Sequence, residues 1–234
     1  YDGGHKLDHY LKDTLGQFIE WIHVCPEVEC GLSIPREAMR LVKVDDGIRL
    51  MTIKSKVDQT EKMEIWIKEK LKKLESLDLC GFVFKSRSPS SGLYSAKVYT
   101  NDGKLVGKSA GLFAKAFSEY FKNIPVEEDG RLQNPSIREN FIERVFIYHR
   151  WHELKKSGFT YSKLVDFHTR IKLTLLSHSP VHYRNLGKMV ADGKNNKNIY
   201  EEYFSILMEG LKLKATVSKN TNVLYHIIGY FKKH

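Results

Sequence analysis

The sequence predicts two domains of different class, a small α/β domain followed by an all-α domain. In the first 135 of the 234 residues, short apolar runs and two hairpin signals alternate with segments of helical period. Beyond residue 135, apolar positions recur only at helical spacing. Charge divides at the same place: residues 1–135 hold 21 Lys and Arg against 20 Asp and Glu, whereas residues 136–234 hold 17 against 8. We therefore expect a small Rossmann-like sheet with flanking helices, and then an all-helical C-terminal domain.

The α/β domain is expected over residues 1–133. Its elements follow from the apolar period and from turn residues such as Asn101-Asp102-Gly103. In chain order they are a helix over 7–20, a short strand ending at Cys25, a helix over 34–41 with Pro35 in its first turn, a hairpin joining 41–44 to 48–53, a helix over 58–77, a strand over 81–84, a hairpin joining 98–99 to 105–106, and a helix over 110–121.

The helical domain is expected over residues 134–234, after a linker over 125–135 that is acidic and contains Gly130. Its helices are expected over 137–156, 160–176, 180–192, 197–210 and 221–233. The chain opens with Tyr1 rather than Met, so we expect that further sequence precedes it in the natural protein.

Composition narrows the class of protein. Hydrophobic residues make up 41% of the chain, which is ordinary for a globular protein, and no apolar run approaches the roughly 18 residues of a membrane span. The first residues contain no apolar segment typical of a signal peptide. Three cysteines do not suggest a disulfide framework, although a local Cys25–Cys30 bond stays open, so a reducing cytoplasm is the expected compartment.

The excess of positive charge lies in the helical domain, which has a net charge of +9 from 17 basic and 8 acidic residues. This asymmetry favours a nucleic-acid-binding module attached to a nearly neutral catalytic domain. The alternative is a basic surface that serves only solubility.

Two loops carry the residues with reactive side chains. Cys25 and Glu27 flank a proline after one apolar run, and a small polar turn, Ser88 to Gly92, follows another. In an open α/β sheet such loops face one crevice, and a soft ligand beside a carboxylate suits metal-assisted hydrolysis. The alternatives are a buried structural cysteine, a helix-start or surface carboxylate, and a turn of small residues around Pro89.

These segments resemble the thiouracil desulfidase family, and more extensively its two-domain branch, the tRNA 4-thiouridine desulfidases. The motifs that carry the resemblance are Tyr1 to Lys6, Ile22 to Leu32, Phe84 to Gly92, Arg138 to Arg144, Leu164 to Arg170, Leu176 to Pro180, Asn222 to Leu224 and Gly229 to Lys232. The resemblance implies hydrolytic, non-redox replacement of the thione sulfur by oxygen, with tRNA as partner of the helical domain. It also implies that this domain continues past His234.

The resemblance further implies a 4Fe-4S cluster held by three cysteines, with one iron open to the sulfur of the substrate. Cys25 matches one ligand and Ser91 stands at the position of another, while the third would lie upstream of Tyr1. Serine is a poor replacement for a thiolate ligand. The substitution is either engineered or a natural variant that has lost the cluster.

The same resemblance assigns roles to further residues. Glu27 matches the general acid/base, with Ser88 and Ser90 in the catalytic pocket. Asp2, Lys6 and Arg36 match substrate-binding positions.

The expected RNA contacts are polar side chains of the helical domain. They are Arg170, Lys172, His178, Arg184, Lys188 and Lys232. Two other functions stay open: an RNA-binding protein without catalysis, and a desulfidase for free thiouracil whose helical domain does not bind tRNA.

Overall fold

The structure is a computed structural model that describes residues 7–45, 47–196 and 198–232. The chain divides into two compact units, which are treated separately below. The α/β unit comprises residues 7–122 and Val126–Gln133, and the helical unit comprises Asn123–Pro125 and the residues from Asn134 onward. The predicted fold class, α/β followed by all-α, is confirmed.

The α/β unit contains six strands and three α-helices among its described residues. The strands are β1 (Met39–Val44), β2 (Gly47–Thr52), β3 (Phe82–Phe84), β4 (Ala96–Tyr99), β5 (Leu105–Ser109) and β6 (Val126–Glu128). The helices are α1 (Pro26–Glu29), α2 (Thr60–Glu75) and α3 (Leu112–Tyr120). A π-helix over Tyr10–Thr14 and 3-10 helices over Leu15–Gln17 and Arg131–Gln133 complete the unit.

The strands lie in two sheets rather than in one. Four strands form a mixed sheet in the order β2-β1-β4-β5, in which β1 and β4 are parallel and both edge strands are antiparallel. The separate pair β3–β6 is parallel, with Phe82 opposite Val126. Both predicted hairpins are therefore confirmed, because β1–β2 and β4–β5 each pair across the turn residues that predicted them.

Aromatic side chains pack β3 against α3. Phe84, Phe113 and Phe117 are at most 1% exposed, and the rings of Phe84 and Phe117 lie 5.5 Å apart in an edge-to-face arrangement. Phe82 joins this cluster, 4.5 Å from Phe117. Each buried aromatic ring stabilises the fold by about 1.5–3 kcal/mol. This cluster fixes the end of β3, from which the loop of the candidate site departs.

Several sequence predictions are wrong, each for a local reason. The helix over 7–20 is limited to the short helices that end at Gln17, and within residues 7–24 no strand precedes Cys25, whose backbone is extended only locally. The helix over 34–41 does not form, because a residue before proline disfavours helical angles and β1 begins at Met39. The segment predicted as a linker forms β6, because Glu127 and Glu128 are buried rather than solvated.

The helical unit contains five α-helices in its described part. They are α4 (Pro135–Lys156), α5 (Tyr161–His178), α6 (Pro180–Asp192), α7 (Ile199–Lys212) and α8 (Val217–Phe231), with a 3-10 helix over Gly193–Asn195. All five were predicted, α6 with the bounds observed and the other four with at least one shifted end. Trp151 lies at the centre, stacked on Phe204 at 4.8 Å and on Tyr203 at 5.7 Å. Over the described residues, no helix combines the length and apolar character that a membrane span requires.

Candidate active site

The short helix α1 positions the first loop of the site. Cys25 is the N-cap residue of this helix and has an extended backbone, and its amide donates to the Glu29 carboxylate at 3.0 Å. Two lysines of α2 hold the segment from the other side. Lys70 pairs with Glu29 at 2.8 Å, and Lys62 donates to the carbonyl of Gly31 at 2.9 Å. These contacts fix the direction in which Glu27 leaves α1.

The second loop, Ser88 to Gly92 (the serine loop), follows β3 and is closed by its own hydrogen bonds. The Ser88 carbonyl accepts from the Gly92 amide at 2.8 Å, and the Ser88 hydroxyl accepts from the amides of Ser91 and Ser90 at 3.1 and 3.3 Å. This is a serine turn of the kind that small hydroxyl residues favour. The predicted turn around Pro89 is therefore present.

The start of α3 packs directly on the serine loop. The amide of Phe113 donates to the Ser90 carbonyl at 2.9 Å, and the amide of Gly111 donates to the Gly92 carbonyl at 2.7 Å. A Cβ atom on Gly111 would lie 2.5 Å from the Ser90 carbonyl carbon, so this close approach requires glycine. The backbone of Ser90 is thus fixed independently of its side chain.

The two loops meet at the carboxylate of Glu27. The Ser90 hydroxyl, on a fully buried residue, donates to Oε1 of Glu27 at 2.5 Å. The Ser88 hydroxyl lies 3.4 Å from the same oxygen and 3.0 Å from the Ser90 hydroxyl. Arg36 lies 3.7 Å from Oε2, and both members of this ion pair have side chains that are only 13% exposed. The result is a largely desolvated carboxylate with one oxygen held by hydroxyl groups.

The thiols lie around the same carboxylate. Cys25 is exposed, with Sγ 3.7 Å from Oε2 of Glu27. Cys30 donates to the Glu27 carbonyl at 3.3 Å, and burial raises the pKa of its thiol, opposed in part by nearby Lys62. Neither Cys25 nor Cys30 is in a disulfide, so the Cys25–Cys30 bond that the sequence left open does not form.

The donor set does not fit a cluster held by three thiolates. At the two described positions that the resemblance assigns to ligands, Cys25 supplies a thiol and Ser91 supplies a hydroxyl that is 3.3 Å from the Ser90 hydroxyl. Ser91 is only 9% exposed, and its hydroxyl already has a hydrogen-bonding neighbour. Within residues 7–45, 47–196 and 198–232, no three His, Cys, Asp or Glu side chains group as metal ligands. Asp2 and Lys6, predicted to bind substrate, lie outside the described residues.

Two buried carboxylates of the β6 segment hold the serine loop, and neither was predicted from the sequence. Glu128 accepts from the amide and hydroxyl of Ser95 beyond the loop, at 3.2 and 2.7 Å. Asp129 accepts from the amide of Ser86 before the loop at 2.9 Å and pairs with Lys85. Their only sequence signal was an acidic run, which indicated a solvated linker.

The predicted RNA contacts of the helical unit have different surroundings. Arg184, Lys188 and Lys232 are exposed, and Lys172 is half-buried. Arg170 is exposed but pairs with Asp166 at 3.0 Å. These side chains remain available to a ligand, and their role in RNA binding stays a prediction.

The prediction that His178 binds RNA is wrong. Its side chain is fully buried, where Nε2 lies 2.9 Å from Glu143 and Nδ1 lies 2.5 Å from the Leu213 carbonyl. His168 is also buried, 2.9 Å from the Tyr203 hydroxyl, and burial, together with nearby Lys172, lowers the pKa of this imidazole. Both histidines hold helices together, which sequence spacing could not distinguish from a surface role.

The α/β unit therefore brings together a carboxylate, serine hydroxyls and a thiol, as expected of an enzyme that handles protons at a substrate carbon. A model of the 2-thiouracil desulfurase family matches residues 1–129, more than half of the chain. The chain belongs to this family. A second model, described as a protein of unknown function (DUF1722), matches residues 172–234.

Two individual proteins are similar over part of the chain. The uncharacterized protein YbgA of Escherichia coli K12 is 40% identical over 99 residues, which are 41% of this chain and 59% of YbgA. The chain thus spans less than two thirds of that relative. A solved structure, a [4Fe-4S]-dependent thiouracil desulfidase TudS, shares 22% identity with a TM-score of 0.43, covering 55% of this chain and 80% of the other.

Proposed function

We propose that this protein belongs to an enzyme line that converts 4-thiouridine in tRNA to uridine and releases hydrosulfide, in the cytoplasm. The observation that carries the proposal is the contact of Glu27 with Ser90 in a chain that belongs to the 2-thiouracil desulfurase family. The basic helical domain supports tRNA as the substrate, because its 17 basic against 8 acidic residues favour a polyanion.

In this proposal Glu27 moves the proton of the attacking water. Water adds its oxygen to the thiocarbonyl carbon, and one of its two protons is transferred to the sulfur as the carbon–sulfur bond breaks, so that the sulfur leaves as hydrosulfide. The other proton of water passes to Oε2 of Glu27, because Oε1 already accepts the hydroxyl of Ser90. Arg36, 3.7 Å from Oε2, stabilises the carboxylate that accepts this proton. The base must first leave its stack, at a cost of a few kcal/mol.

Ser91 is the position at which we propose that a cluster thiolate is missing. The hydroxyl is nearly buried beside Ser90. The resemblance to the family implies that a cysteine at this position and Cys25 would be ligands of one cluster. Glu27 and Arg36 are present for the proton transfer, whereas removal of the sulfur would require the cluster that the resemblance implies, so we expect the protein with Ser91 to be inactive.

The test compares two proteins after anaerobic iron–sulfur reconstitution: the protein with Ser91 and its Ser91→Cys variant. Both include any sequence that precedes Tyr1. We expect about four irons and hydrosulfide release from 4-thiouridine tRNA only for Ser91→Cys. Cys80→Ser in the Ser91→Cys background is the matched control, because Cys80 donates instead to the carbonyl of Asp78, at 3.5 Å. If neither protein holds iron or releases hydrosulfide, the proposal is wrong.

A second candidate function is RNA binding without catalysis. The observation that favours it is the hydroxyl at Ser91, where the resemblance expects a thiolate. It predicts tight, salt-dependent tRNA binding by both proteins and no desulfuration by either. The free-base alternative predicts instead that Ser91→Cys acts on 4-thiouracil and that tRNA binds weakly.

A further inference from the structure

The serine loop is entered through a turn with an unusual backbone conformation. Arg87, the residue before the loop, has a φ angle of +66°, a left-handed conformation that is uncommon outside glycine and asparagine. It is the third residue of a turn that the Ser88 amide closes on the Lys85 carbonyl, at 3.4 Å. A third residue with positive φ is typically glycine, because a side chain is strained there. The conformation of Arg87 therefore depends on a contact that holds it.

Ser95, which lies beyond the other end of the loop, supplies that contact. Its hydroxyl accepts from the backbone amide of Arg87 at 2.7 Å. Arg87 itself is exposed, so burial of its side chain does not hold the turn. The hydrogen bond to Ser95 is thus the contact that stabilises the left-handed backbone at the entry of the loop.

Glu128 fixes the orientation of the Ser95 hydroxyl group. Glu128 is 2% exposed, and its Oε1 accepts from the Ser95 hydroxyl at 2.7 Å and from the amides of Ser95 and Tyr94 at 3.2 and 2.8 Å. A hydroxyl group has one proton and two acceptor lone pairs. Because the proton is donated to Glu128, a lone pair of the same oxygen faces the Arg87 amide.

The turn at Arg87 sets the position of the next residue, Ser88. The Ser88 hydroxyl accepts from the Ser91 amide at 3.1 Å and lies 3.0 Å from the Ser90 hydroxyl and 3.4 Å from Oε1 of Glu27. Return of Arg87 to an ordinary negative φ would rotate the chain by more than about 100° at this point. Such a rotation would turn the Ser88 hydroxyl away from Glu27.

We propose that Ser95 is a positioning residue of the reaction, which acts through the backbone of Arg87 to direct the Ser88 hydroxyl at the Glu27 carboxylate. This inference rests on the proposed function. Ser95 lies immediately before β4, outside the two loops that meet at Glu27. Removal of its hydroxyl should therefore loosen Ser88 and leave the hold of α3 on Ser90 unchanged.

The first test measures native-state hydrogen exchange of single amides by NMR on the full chain, without turnover. Ser95→Ala should speed exchange of the Ser91 amide, which donates to Ser88, by about tenfold, since a hydrogen bond to a charged group is lost with the hydroxyl. The Phe113 amide, which donates to the Ser90 carbonyl, should exchange as before.

Two further variants separate positioning from a general loss of stability. Ser95→Thr keeps the hydroxyl and should keep the slow exchange of the Ser91 amide. Ser76→Ala removes a hydroxyl that donates to the Lys73 carbonyl at 2.7 Å, at the end of α2, and should not affect that amide. An unchanged rate at Ser91 in Ser95→Ala overturns the proposal, as does an equal rise at the Phe113 amide.

The second test measures kcat and KM for hydrosulfide release in the reconstituted Ser91→Cys protein. Ser95→Ala should lower kcat by about 2- to 10-fold, the effect of one hydrogen bond, and leave KM unchanged. Adding Ser95→Ala to Ser88→Ala should cause no further loss, because both changes act through the Ser88 hydroxyl. Losses that multiply overturn the proposal. If no variant releases hydrosulfide, the proposed function is wrong, and the exchange rates still decide whether Ser95 positions Ser88.

Discussion

Ser90 joins the two loops of the site through a single hydroxyl group. The residue is fully buried, its hydroxyl donates to Glu27 at 2.5 Å, and its carbonyl accepts from Phe113 and Ala114 at 2.9 and 3.2 Å. The backbone contacts hold the residue in place whatever its side chain is. The hydroxyl can therefore be removed without displacing the loop.

Ser90→Ala should lower the rate of desulfuration by about 10- to 100-fold, because a hydrogen bond to a charged group contributes about 1.5–3 kcal/mol. The measurement is hydrosulfide release in the Ser91→Cys background, together with the urea midpoint. Ser118→Ala is the control, since that hydroxyl contacts only the Ala114 carbonyl at 2.8 Å. A rate loss that follows a loss of stability would assign Ser90 a structural role only.

The sequence predicted the central residues of the site better than its surroundings. Cys25, Glu27 and the serine loop each follow an apolar run, and their meeting follows from general rules for α/β domains. The sequence did not predict that Arg40 and Lys97 line one groove beside Pro89. These two residues belong to separate strands, and only the parallel pairing of β1 with β4 brings the strands together.

At the scale of elements, Glu128 of β6 and the next residue, Asp129, hold the residues on either side of the serine loop. Asp129 holds Ser86 and Lys85 before the loop, and Glu128 holds Ser95 after it. Burial opposes ionisation of Asp129, but hydrogen bonds from Lys85 and Ser86 outweigh it and hold the pKa of this carboxyl below its ordinary value. The ionised carboxylate therefore stabilises the folded state.

Asp129→Asn should lower the free energy of unfolding at pH 7 by about 1–3 kcal/mol. Because the folded pKa is the lower one, this contribution is complete above the unfolded value of about 3.9 and is lost as the pH falls below it. Urea unfolding at pH 7, 5, 4 and 3 should show the two proteins converging at the acid end. Glu119→Gln, an exposed change on α3, should show no such convergence; a constant difference for Asp129→Asn would contradict the prediction.

The elements that were predicted correctly have strong local patterns. On α2, Met63, Ile67, Leu71 and Leu74 recur on one face and are all buried. The segment that became β6 has no such pattern, and the carboxylate of its buried Glu128 accepts from the backbone amide of Ser95, which is 33 residues away in the sequence. The periodicity of apolar residues predicts local secondary structure, but it does not predict contacts between residues that are distant in the sequence.

At the scale of the whole molecule, the two units differ in charge. The helical unit carries exposed Arg184 and Lys188 one turn apart on α6, so both face the same side of that helix. Such a pair is suited to successive phosphates of a folded RNA.

Arg184→Gln with Lys188→Gln should weaken tRNA binding and reduce the slope of log affinity against log salt by about 0.7–0.9 for each phosphate that the variant no longer neutralises. Filter binding between 50 and 200 mM salt, roughly the range over which such ion pairs respond most visibly, measures the slope. Lys155→Gln with Lys156→Gln, which removes two exposed charges at the end of α4, is the control. An unchanged slope in the α6 variant would exclude this face as the RNA-binding surface.

The carboxylates of Glu128 and Asp129, which hold the residues on either side of the serine loop, are synthesised after that loop. Lys85 leaves the ribosome 44 residues before its partner Asp129. At synthesis rates of about 5–20 residues per second, about 2–9 seconds pass between the synthesis of Lys85 and that of Asp129. The reactive loop is thus completed by the last strand of its own unit, before the first helix of the next one is made. A nascent chain that stops between these points would contain Glu27 and the serine loop but not the two carboxylates that hold the residues on either side of that loop.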